Sequence, residues 1–163
     1  MNHLAHFHLA GVEHDLIVGG FLGDFVKGRL PSEYDANIDR GIRLHRSIDV
    51  FTDQHPIVKQ SQARFSPRLR RFSPVITDIV FDHFLACHWE RYSALSLQQF
   101  SQQICQIILA NEPTLPENAK RLINDMQQHR RLEKYSSREF VDSALLSLSN
   151  RITRANPMHE GFE

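Results

Sequence analysis

Apolar residues recur at three- and four-residue spacing along almost the whole chain, and no segment shows the alternation typical of a strand. This pattern predicts a first helix over residues 2–12, capped by Asn2, and a second helix over residues 15–27. Gly19, Gly20 and Gly23 fall inside the second helix, where glycine is destabilising. We expect these glycines to allow the close approach of another helix or of a ligand.

The same pattern continues to the end of the chain, with proline and glycine marking the breaks. Gly28 and Pro31 break the chain after the second helix, and the third should end before Pro56, because a residue before proline disfavours the helical conformation. The later predicted helices cover residues 35–52, 57–72 with an interruption at Ser66-Pro67, 73–92, 97–110, 116–132 and 136–151. The sequence therefore predicts a compact all-α fold of about seven or eight helices, organised as a single domain over residues 1–163.

Composition excludes several classes of function. The 163 residues carry 19 Lys and Arg against 19 Asp and Glu, and this zero net charge argues against a general nucleic-acid binder. No apolar run approaches the roughly 20 residues that span a membrane, and three histidines before residue 9 interrupt any signal peptide. Cys87 and Cys105 lack CxxC spacing and are typical of reduced core thiols, which predicts a cytoplasmic protein.

The first candidate site is the third predicted helix, where His45 and Asp49 are four residues apart and Asp53 lies one turn further on. Residues at this spacing share one helix face, so an imidazole and a carboxylate point into the same volume and suit a divalent cation. The alternative is an exposed face of ion pairs between Arg46, Asp49 and Asp53.

Asp24 and His6 are the next candidates. Asp24 lies among apolar residues in FLGDFV, inside the predicted second helix, and a buried carboxylate is costly unless it is paired or metal-bound. The alternative for Asp24 is a helix cap or a partner of an arginine. His6 and His8 lie about 200° apart on a helix, so one should face the site while the other packs. His3 has no such convergent company and is predicted to be structural or exposed.

The segment TDIVFDHFLACHW supplies the last candidates. Asp78 and Asp82 form a second pair four residues apart, beside apolar residues on the same face. The alternative is that an arginine from another helix binds one of them. His83 lies about 100° from Asp82 around the helix, so at least one of the two should orient a ligand rather than bind the ion directly.

Signatures of competing chemistries are absent, since the chain has no GxSxG, GxxxxGK[ST], GxGxxG or HExxH motif. Hydrolysis by a metal-activated water is therefore the favoured chemistry. Mixed imidazole and carboxylate ligands are typical of Mn²⁺, Fe²⁺ or Zn²⁺.

Four segments together resemble the acyl carrier protein phosphodiesterases: MNHLAHFHLA, GGFLGDFVKG, GIRLHRSIDVFTDQHP and ITDIVFDHFLACHW. A weaker match is MQQHRRLEKY followed by LSNR, so the resemblance runs from residue 1 to about residue 151. The family is similar to HD-type metal-dependent phosphohydrolases, which implies a distorted HD-like helical fold and dependence on Mn²⁺. It implies hydrolysis of 4′-phosphopantetheine from a serine of holo-acyl carrier protein. The resemblance points to Asp24 first, and supports His6, His45, Asp49, Asp78, Asp82 and His83 as metal-site candidates, with Asp24, His45 and Asp49 catalytic.

Two alternatives stay open beside this interpretation. One is an HD-like phosphohydrolase acting on a nucleotide or another small phosphoester, and the other is a non-catalytic helical module that binds acyl carrier protein. A basic stretch, RFSPRLRR, favours an acidic protein partner, because a patch of one charge sign steers a partner of the opposite sign. It supplies Arg64, Arg68, Arg70 and Arg71 as partner-binding candidates; the alternative is that these arginines only solvate the surface.

The C-terminal part of the chain adds one expectation about assembly. Relatives continue into a further helix, whereas this chain ends at Glu163 after a segment with little helical pattern. An apolar stripe on the last predicted helix would then lack cover, which predicts a homo-oligomer. The stripe consists of Phe140, Val141, Ala144, Leu145, Leu148 and Ile152. The alternative is that it is the ordinary core face of that helix.

Overall fold

A computed structural model describes residues 3–29, 34–151 and Gly161, and these residues form nine α-helices and no strand. The helices are α1 (His3–Leu9), α2 (His14–Leu22), α3 (Ala36–Gln54), α4 (Pro56–Ala63), α5 (Ser73–Cys87), α6 (Leu97–Ala110), α7 (Glu117–Gln128), α8 (Arg131–Lys134) and α9 (Arg138–Arg151). Short 3-10 helices cover Arg70–Phe72, Trp89–Arg91 and Glu112–Thr114. Eight of the α-helices have seven or more residues, so the all-α prediction is confirmed. None of the described helices is long and apolar enough to cross a membrane.

Helix ends follow the local chemistry of the chain. α3 ends before His55, which has ψ 130° because Pro56 follows it, and His55 then accepts a hydrogen bond from the N–H of Ile57 to start α4. α6 begins with a capping box formed by Ser96 and Gln99. The predicted cap at Asn2 and the break at Pro31 lie outside the described residues, as does Ile152 of the predicted stripe.

Several predicted helices are shorter than the sequence pattern indicates: the one over residues 2–12 ends at Leu9, the one over 57–72 at Ala63 and the one over 73–92 at Cys87. Two further differences have an identifiable local cause. The second predicted helix was expected to reach residue 27, but α2 ends at Leu22, and the carbonyl of Leu22 accepts the N–H groups of Phe25 and Val26 in a tight turn. The predicted helix over residues 116–132 divides at Arg130, which takes the left-handed conformation with φ 50°. Both corrections arise from turns that the apolar periodicity does not mark.

α2 and α3 cross at very short distance, and this crossing places the candidate site. A Cβ atom at Gly19 would lie 2.1 Å from the carbonyl oxygen of Ile38, and one at Gly41 would lie 2.7 Å from that of Leu16. Only glycine fits at either position, as expected for a helix contact. A hydrophobic core that includes Phe7, Phe21, Ile42, Ile104 and Leu145 packs α1 and the later helices around this pair.

Candidate metal centre

Three candidate side chains meet where α1 faces α3. The Nε2 atom of His6 lies 3.0 Å from Oδ1 of Asp49, and the Nε2 atom of His45 lies 3.3 Å from Oδ2 of the same carboxylate. One ligand atom from each of these residues lies within 4.8 Å of the other two. Both imidazoles are buried, at 4% and 5% exposure, whereas the Asp49 side chain is 39% exposed. The three therefore form a group that can hold a metal ion, open to solvent on the carboxylate side.

Backbone packing fixes the position of His45. A Cβ atom at Gly23 would lie 2.3 Å from Cγ of His45, so the imidazole lies directly against the turn that follows α2. The ring of His6 stacks on that of His45, with centroids 3.9 Å apart and planes 11° apart. His8 points away, as the helical spacing predicted, and packs against Trp89 at 5.3 Å between ring centroids.

Asp24 lies at the edge of this group, in the turn after α2 rather than inside a helix as the sequence pattern predicted. Its Oδ1 is 3.7 Å from Nε2 of His45, and its Oδ2 is 3.5 Å from Nδ1 of His3. Its side chain is 42% exposed. The carboxylate is therefore placed at the solvent side of the group by the early end of α2, and the structure adds His3, which sequence reasoning left outside the site.

Arg46 ties the Asp24 turn to α3, a role that sequence reasoning missed. Its two terminal nitrogens donate to the carbonyls of Gly28 and Val26, each at 2.9 Å. Within the part of the chain that the structure describes, Arg46 thus contacts these carbonyls instead of forming the alternative ion pairs with Asp49 and Asp53. The feature of the sequence that indicates this turn is Gly28, because glycine readily takes a positive φ. In the structure its φ is 70°, and the turn leaves these carbonyls facing α3.

Electrostatics favour the ionised form of the Asp49 carboxylate and also act on His3 beside the group. Burial raises the pKa of Asp49, but hydrogen bonds from His45 and His6 outweigh it and hold that pKa well below the ordinary value. Burial lowers the pKa of His3 in spite of Asp24 beside it, with His6, His45 and Arg131 adding to the decrease. An ionised carboxylate and a neutral imidazole are the states that bind divalent ions.

The donor set fits a divalent ion. The Nδ1 atoms of His6 and His45 are buried and have no hydrogen-bond partner among the described residues, while both Nε2 atoms face the Asp49 carboxylate. The tautomer that carries its proton on Nδ1 would present the Nε2 lone pair to a cation. Two imidazoles with carboxylate oxygens are ligands that Mn²⁺, Fe²⁺ and Zn²⁺ accept.

Asp78 lies on α5 at the margin of the group but outside the set of converging ligand atoms found among the described residues. Its side chain is partly buried, and burial raises its pKa, assisted by the negative charges of Asp53 and Asp49. The Asp78 carboxyl therefore lies close enough to Asp49 and Asp53 for their charges to affect its pKa. Its place as a metal ligand stays a prediction.

Asp82 and His83 are buried one turn further along α5, with partners of their own. Asp82 accepts the backbone N–H of Leu4 at 2.8 Å and that of Ala5 at 3.1 Å. His83 shares a hydrogen bond of 2.7 Å between Nδ1 and the carbonyl of Tyr135. These contacts attach α1 and the end of α8 to α5. The structure thus gives both side chains positioning contacts, and it does not bring them into the group of His6, His45 and Asp49.

The four candidate arginines lie together in sequence between the end of α4 and the start of α5. All four are exposed. The guanidinium of Arg71 lies 4.4 Å from the ring centroid of Phe72, and Arg64 borders an apolar groove that includes Phe65 and Phe84. The stretch is therefore a basic surface available to a partner.

Comparison with known proteins gives a consistent result. A family model described as acyl carrier protein phosphodiesterase matches residues 1–163. A protein of that name from Serratia proteamaculans is 39% identical over 163 residues, which cover 99% of this chain and 84% of that protein. Its namesake from Yersinia pestis is 38% identical over 152 residues, covering 93% and 79%, and one from Escherichia coli is 32% identical, covering 99% and 84%. No solved structure matches the chain significantly.

Proposed function

The chain belongs to the acyl carrier protein phosphodiesterase family, and from that premise we propose that the group of His6, His45, Asp49 and Asp24 hydrolyses 4′-phosphopantetheine from holo-acyl carrier protein. In this reaction the oxygen of a water joins phosphorus and the bond between phosphorus and the serine oxygen breaks. The serine oxygen takes a proton, which gives apo-acyl carrier protein and 4′-phosphopantetheine. The observation that carries the proposal is the convergence of two imidazoles on the Asp49 carboxylate in a chain of this family.

We assign the metal ion, Mn²⁺ by family resemblance, to His6, His45 and Asp49, whose donor atoms lie closest together. When bound, a divalent ion lowers the pKa of water and polarises a phosphoryl oxygen. The two oxygens of Asp49 contact Nε2 of His6 and of His45, and these contacts would hold both imidazoles in place for a bound ion. The relation to HD-type phosphohydrolases belongs to this proposal and is supported by the all-helical fold and the His and Asp donors.

Asp24 has the role of accepting a proton from the attacking water. It is the more exposed carboxylate of the group, and it lies between His3 and His45 on the side from which a phosphodiester can approach. Arg46 keeps it there by holding the carbonyls of the same turn. Asp78 remains a candidate ligand at the margin, while Asp82 and His83 act through the helices that they attach.

The remaining parts of the proposal concern the whole protein. Arg64, Arg68, Arg70 and Arg71 are proposed to attract the acidic acyl carrier protein. A single domain is supported by one hydrophobic core that includes residues from Leu4 to Leu145. A cytoplasmic location is supported by two free thiols, Cys87 exposed and Cys105 buried.

The test of this function is an assay of purified holo-acyl carrier protein with Mn²⁺, in which mass spectrometry detects apo-acyl carrier protein and 4′-phosphopantetheine. Asp24→Asn and His45→Ala should each reduce kcat by about 100-fold or more, because each removes a group that acts at the reacting phosphorus. Circular dichroism should be unchanged, and Mn²⁺ binding should weaken in His45→Ala.

The matched control is Asp15→Asn, which removes an exposed carboxylate from the first turn of α2 and should leave kcat unchanged. Full activity of Asp24→Asn, or of the wild type after thorough chelation, would contradict the mechanism. Turnover of nucleotides in place of holo-acyl carrier protein would favour the small-phosphoester alternative. Tight binding of acyl carrier protein without turnover would favour the non-catalytic module.

A further inference from the structure

A cavity of about 310 Å³ opens beside the metal centre, bounded by α5, α7, α8 and α9. Its walls are mainly apolar, with Val75 and Ile79 on α5, Leu122 and Met126 on α7, and Leu148 on α9. This volume lies in the range of roughly 300–1,000 Å³ that is usual for small-molecule sites. The cavity is thus large enough for a ligand and lies outside the group that performs the chemistry.

His3 joins this cavity to the metal centre. Its ring borders the cavity, while its Nδ1 atom is 3.5 Å from Oδ2 of Asp24. On the other side of that carboxylate a second cavity, of about 410 Å³, is bordered by Asp24, His45 and Asp49. A molecule whose phosphate lies at Asp24 can therefore extend past His3 into the apolar cavity.

The phosphopantetheine arm has the chemistry that this cavity accepts. Beyond its phosphate it carries a dimethyl-substituted carbon, a hydroxyl, two amides and a thiol, in an extended chain. Apolar walls suit the methyl and methylene groups, and the Asp78 carboxyl and the Ser147 hydroxyl at the border can accept the amide N–H groups. The exposed side of Asp24 leaves room for the protein that carries the serine.

We propose that the cavity between α5, α7 and α9 binds the pantetheine arm and so selects a phosphopantetheinyl diester over other phosphodiesters. This inference rests on the function proposed above, and it adds a specificity site whose apolar walls on α5, α7 and α9 lie outside the group of His6, His45, Asp49 and Asp24. The phosphate end of the arm lies at Asp24, His3 borders its path, and the thiol end lies toward Leu122 and Leu148.

The test fills the cavity from α9. Ala144→Phe places a phenyl ring in the cavity. Ser147→Trp places an indole at its border, at an exposed position. Because Ser147 is exposed, the second variant still tests the cavity if the first does not fold. The matched control is Leu146→Phe, which puts the same ring about 200° around the helix from Ala144, where Leu146 is 48% exposed. Two substrates are compared: holo-acyl carrier protein, and bis(p-nitrophenyl) phosphate, which has no arm.

Each cavity-filling variant should lower kcat/KM for holo-acyl carrier protein by about tenfold or more, while hydrolysis of bis(p-nitrophenyl) phosphate stays within about twofold of the wild type. Calorimetric binding of free pantetheine should be lost in both variants and retained in Leu146→Phe. Equal losses on both substrates in correctly folded variants, or unchanged pantetheine binding, would overturn the inference. Absence of wild-type turnover of holo-acyl carrier protein would refute the proposed function, while pantetheine binding would still decide the cavity.

Discussion

The two buried imidazoles of the candidate metal centre constrain each other. His6 and His45 stack with 3.9 Å between their centroids, and both turn Nε2 toward Asp49. The pair therefore presents two imidazole nitrogens beside one carboxylate, whose charge can balance part of that of a cation.

Asp82 acts on the same site from a distance. It accepts the N–H groups of Leu4 and Ala5, which belong to the first turn of α1 and have no partner inside that helix. α1 carries both His3 and His6. Asp82 thus fixes the end of the helix that delivers two site residues, although it does not join them.

The first prediction at this scale concerns the pH dependence of stability. Burial raises the pKa of Asp82 to about 7, against the two backbone hydrogen bonds that favour the ionised form. Because its pKa in the folded state lies above the ordinary 3.8, the folded state binds the proton more tightly than the unfolded state between these values. The contribution of Asp82 to the free energy of unfolding should be complete below pH 4 and should fall as pH rises to about 7, by up to about 4 kcal/mol.

Asp82→Asn removes this titration and isolates it. In urea unfolding at pH 5 and at pH 8, the free energy of unfolding of the wild type should fall relative to that of the variant as pH rises. Asp15→Asn, with an exposed carboxylate, should keep the wild-type profile. A difference between wild type and Asp82→Asn that stays constant from pH 5 to pH 8 would contradict the assignment.

Sequence reasoning predicted which side chains meet where a helix face alone determines it, and it did not predict contacts that depend on packing. The spacing of His45 and Asp49 on α3 predicted that they converge, and the angle between His6 and His8 predicted that only one of them faces that group. A buried acid that binds a helix end has the same local sequence as one that binds a metal, so the sequence did not predict the contacts of Asp82 with α1. His3 and Arg46 depend on how the Asp24 turn folds back, which periodicity does not encode.

At the scale of elements, the crossing of α2 and α3 determines how far Asp24 lies from His45. Gly19 and Gly41 lie back to back, and a Cβ atom at Gly19 would also be 2.7 Å from the Cα of Gly41. The sequence predicted close approach at Gly19, Gly20 and Gly23; the structure has it at Gly19 and Gly23, whereas the prediction for Gly20 was wrong, because nothing lies within 4 Å of a Cβ atom there. The early end of α2 was not predicted, because Phe25 and Val26 continue the apolar pattern through a turn.

The element-scale prediction uses the two adjacent glycines of α2. Gly20 is buried in a helix, yet a Cβ atom there would meet nothing within 4 Å. Gly20→Ala should therefore raise the free energy of unfolding by about 0.5–1 kcal/mol, since alanine loses less backbone entropy on folding. Gly19→Ala should lower it by about 1–3 kcal/mol or more, because the new methyl group would overlap α3.

Denaturant midpoints of the two variants provide the measurement, and each serves as the control for the other. Gly19→Ala should also weaken Mn²⁺ binding, since pushing α3 away from α2 shifts His45 and Asp49, both on α3, relative to His6 on α1. Gly20→Ala should bind Mn²⁺ like the wild type. Equal destabilisation by both substitutions would show that the crossing is not the source of the effect.

At the scale of the whole molecule, the apolar stripe of the last helix finds cover within the chain. Val141 and Leu145 are fully buried, and Phe140 and Leu148 pack against the core. The described part of the stripe is therefore the core face of α9, the alternative stated from sequence. A homo-oligomer stays a prediction that this stripe no longer motivates.

Charge is distributed unevenly over the molecule. Residues 1–55, which supply most of the candidate metal centre, carry eight acidic residues against five Lys and Arg, whereas RFSPRLRR carries four arginines and no acid. α5 begins at Ser73, two residues after Arg71, and Asp78 at the margin of the candidate centre lies roughly 8 Å from Ser73 along the helix axis. An acidic protein held by the arginines could therefore reach the centre with a serine-linked arm.

The last prediction tests this docking surface with Arg64→Glu and Arg70→Glu together, which leaves the ring contact of Arg71 intact. Loss of attraction should raise KM for holo-acyl carrier protein by about tenfold at low salt, with kcat changed by less than about twofold. The KM of the wild type should rise toward that of the variant as salt is added, since the screening length falls from about 10 Å at 0.1 M to about 3 Å at 1 M.

Arg40→Glu with Arg91→Glu makes an equal change of net charge outside the stretch, at two exposed positions, and separates local docking from overall charge. If docking is local, this control has a KM near that of the wild type at low salt. The KM values of the two charge-reversed variants should then become equal only at high salt. A KM that rises equally in both would mean that net charge alone attracts the partner. An unchanged KM in the Arg64 and Arg70 variant would remove the arginine stretch from the interface, while turnover at the His6, His45 and Asp49 group would be unaffected.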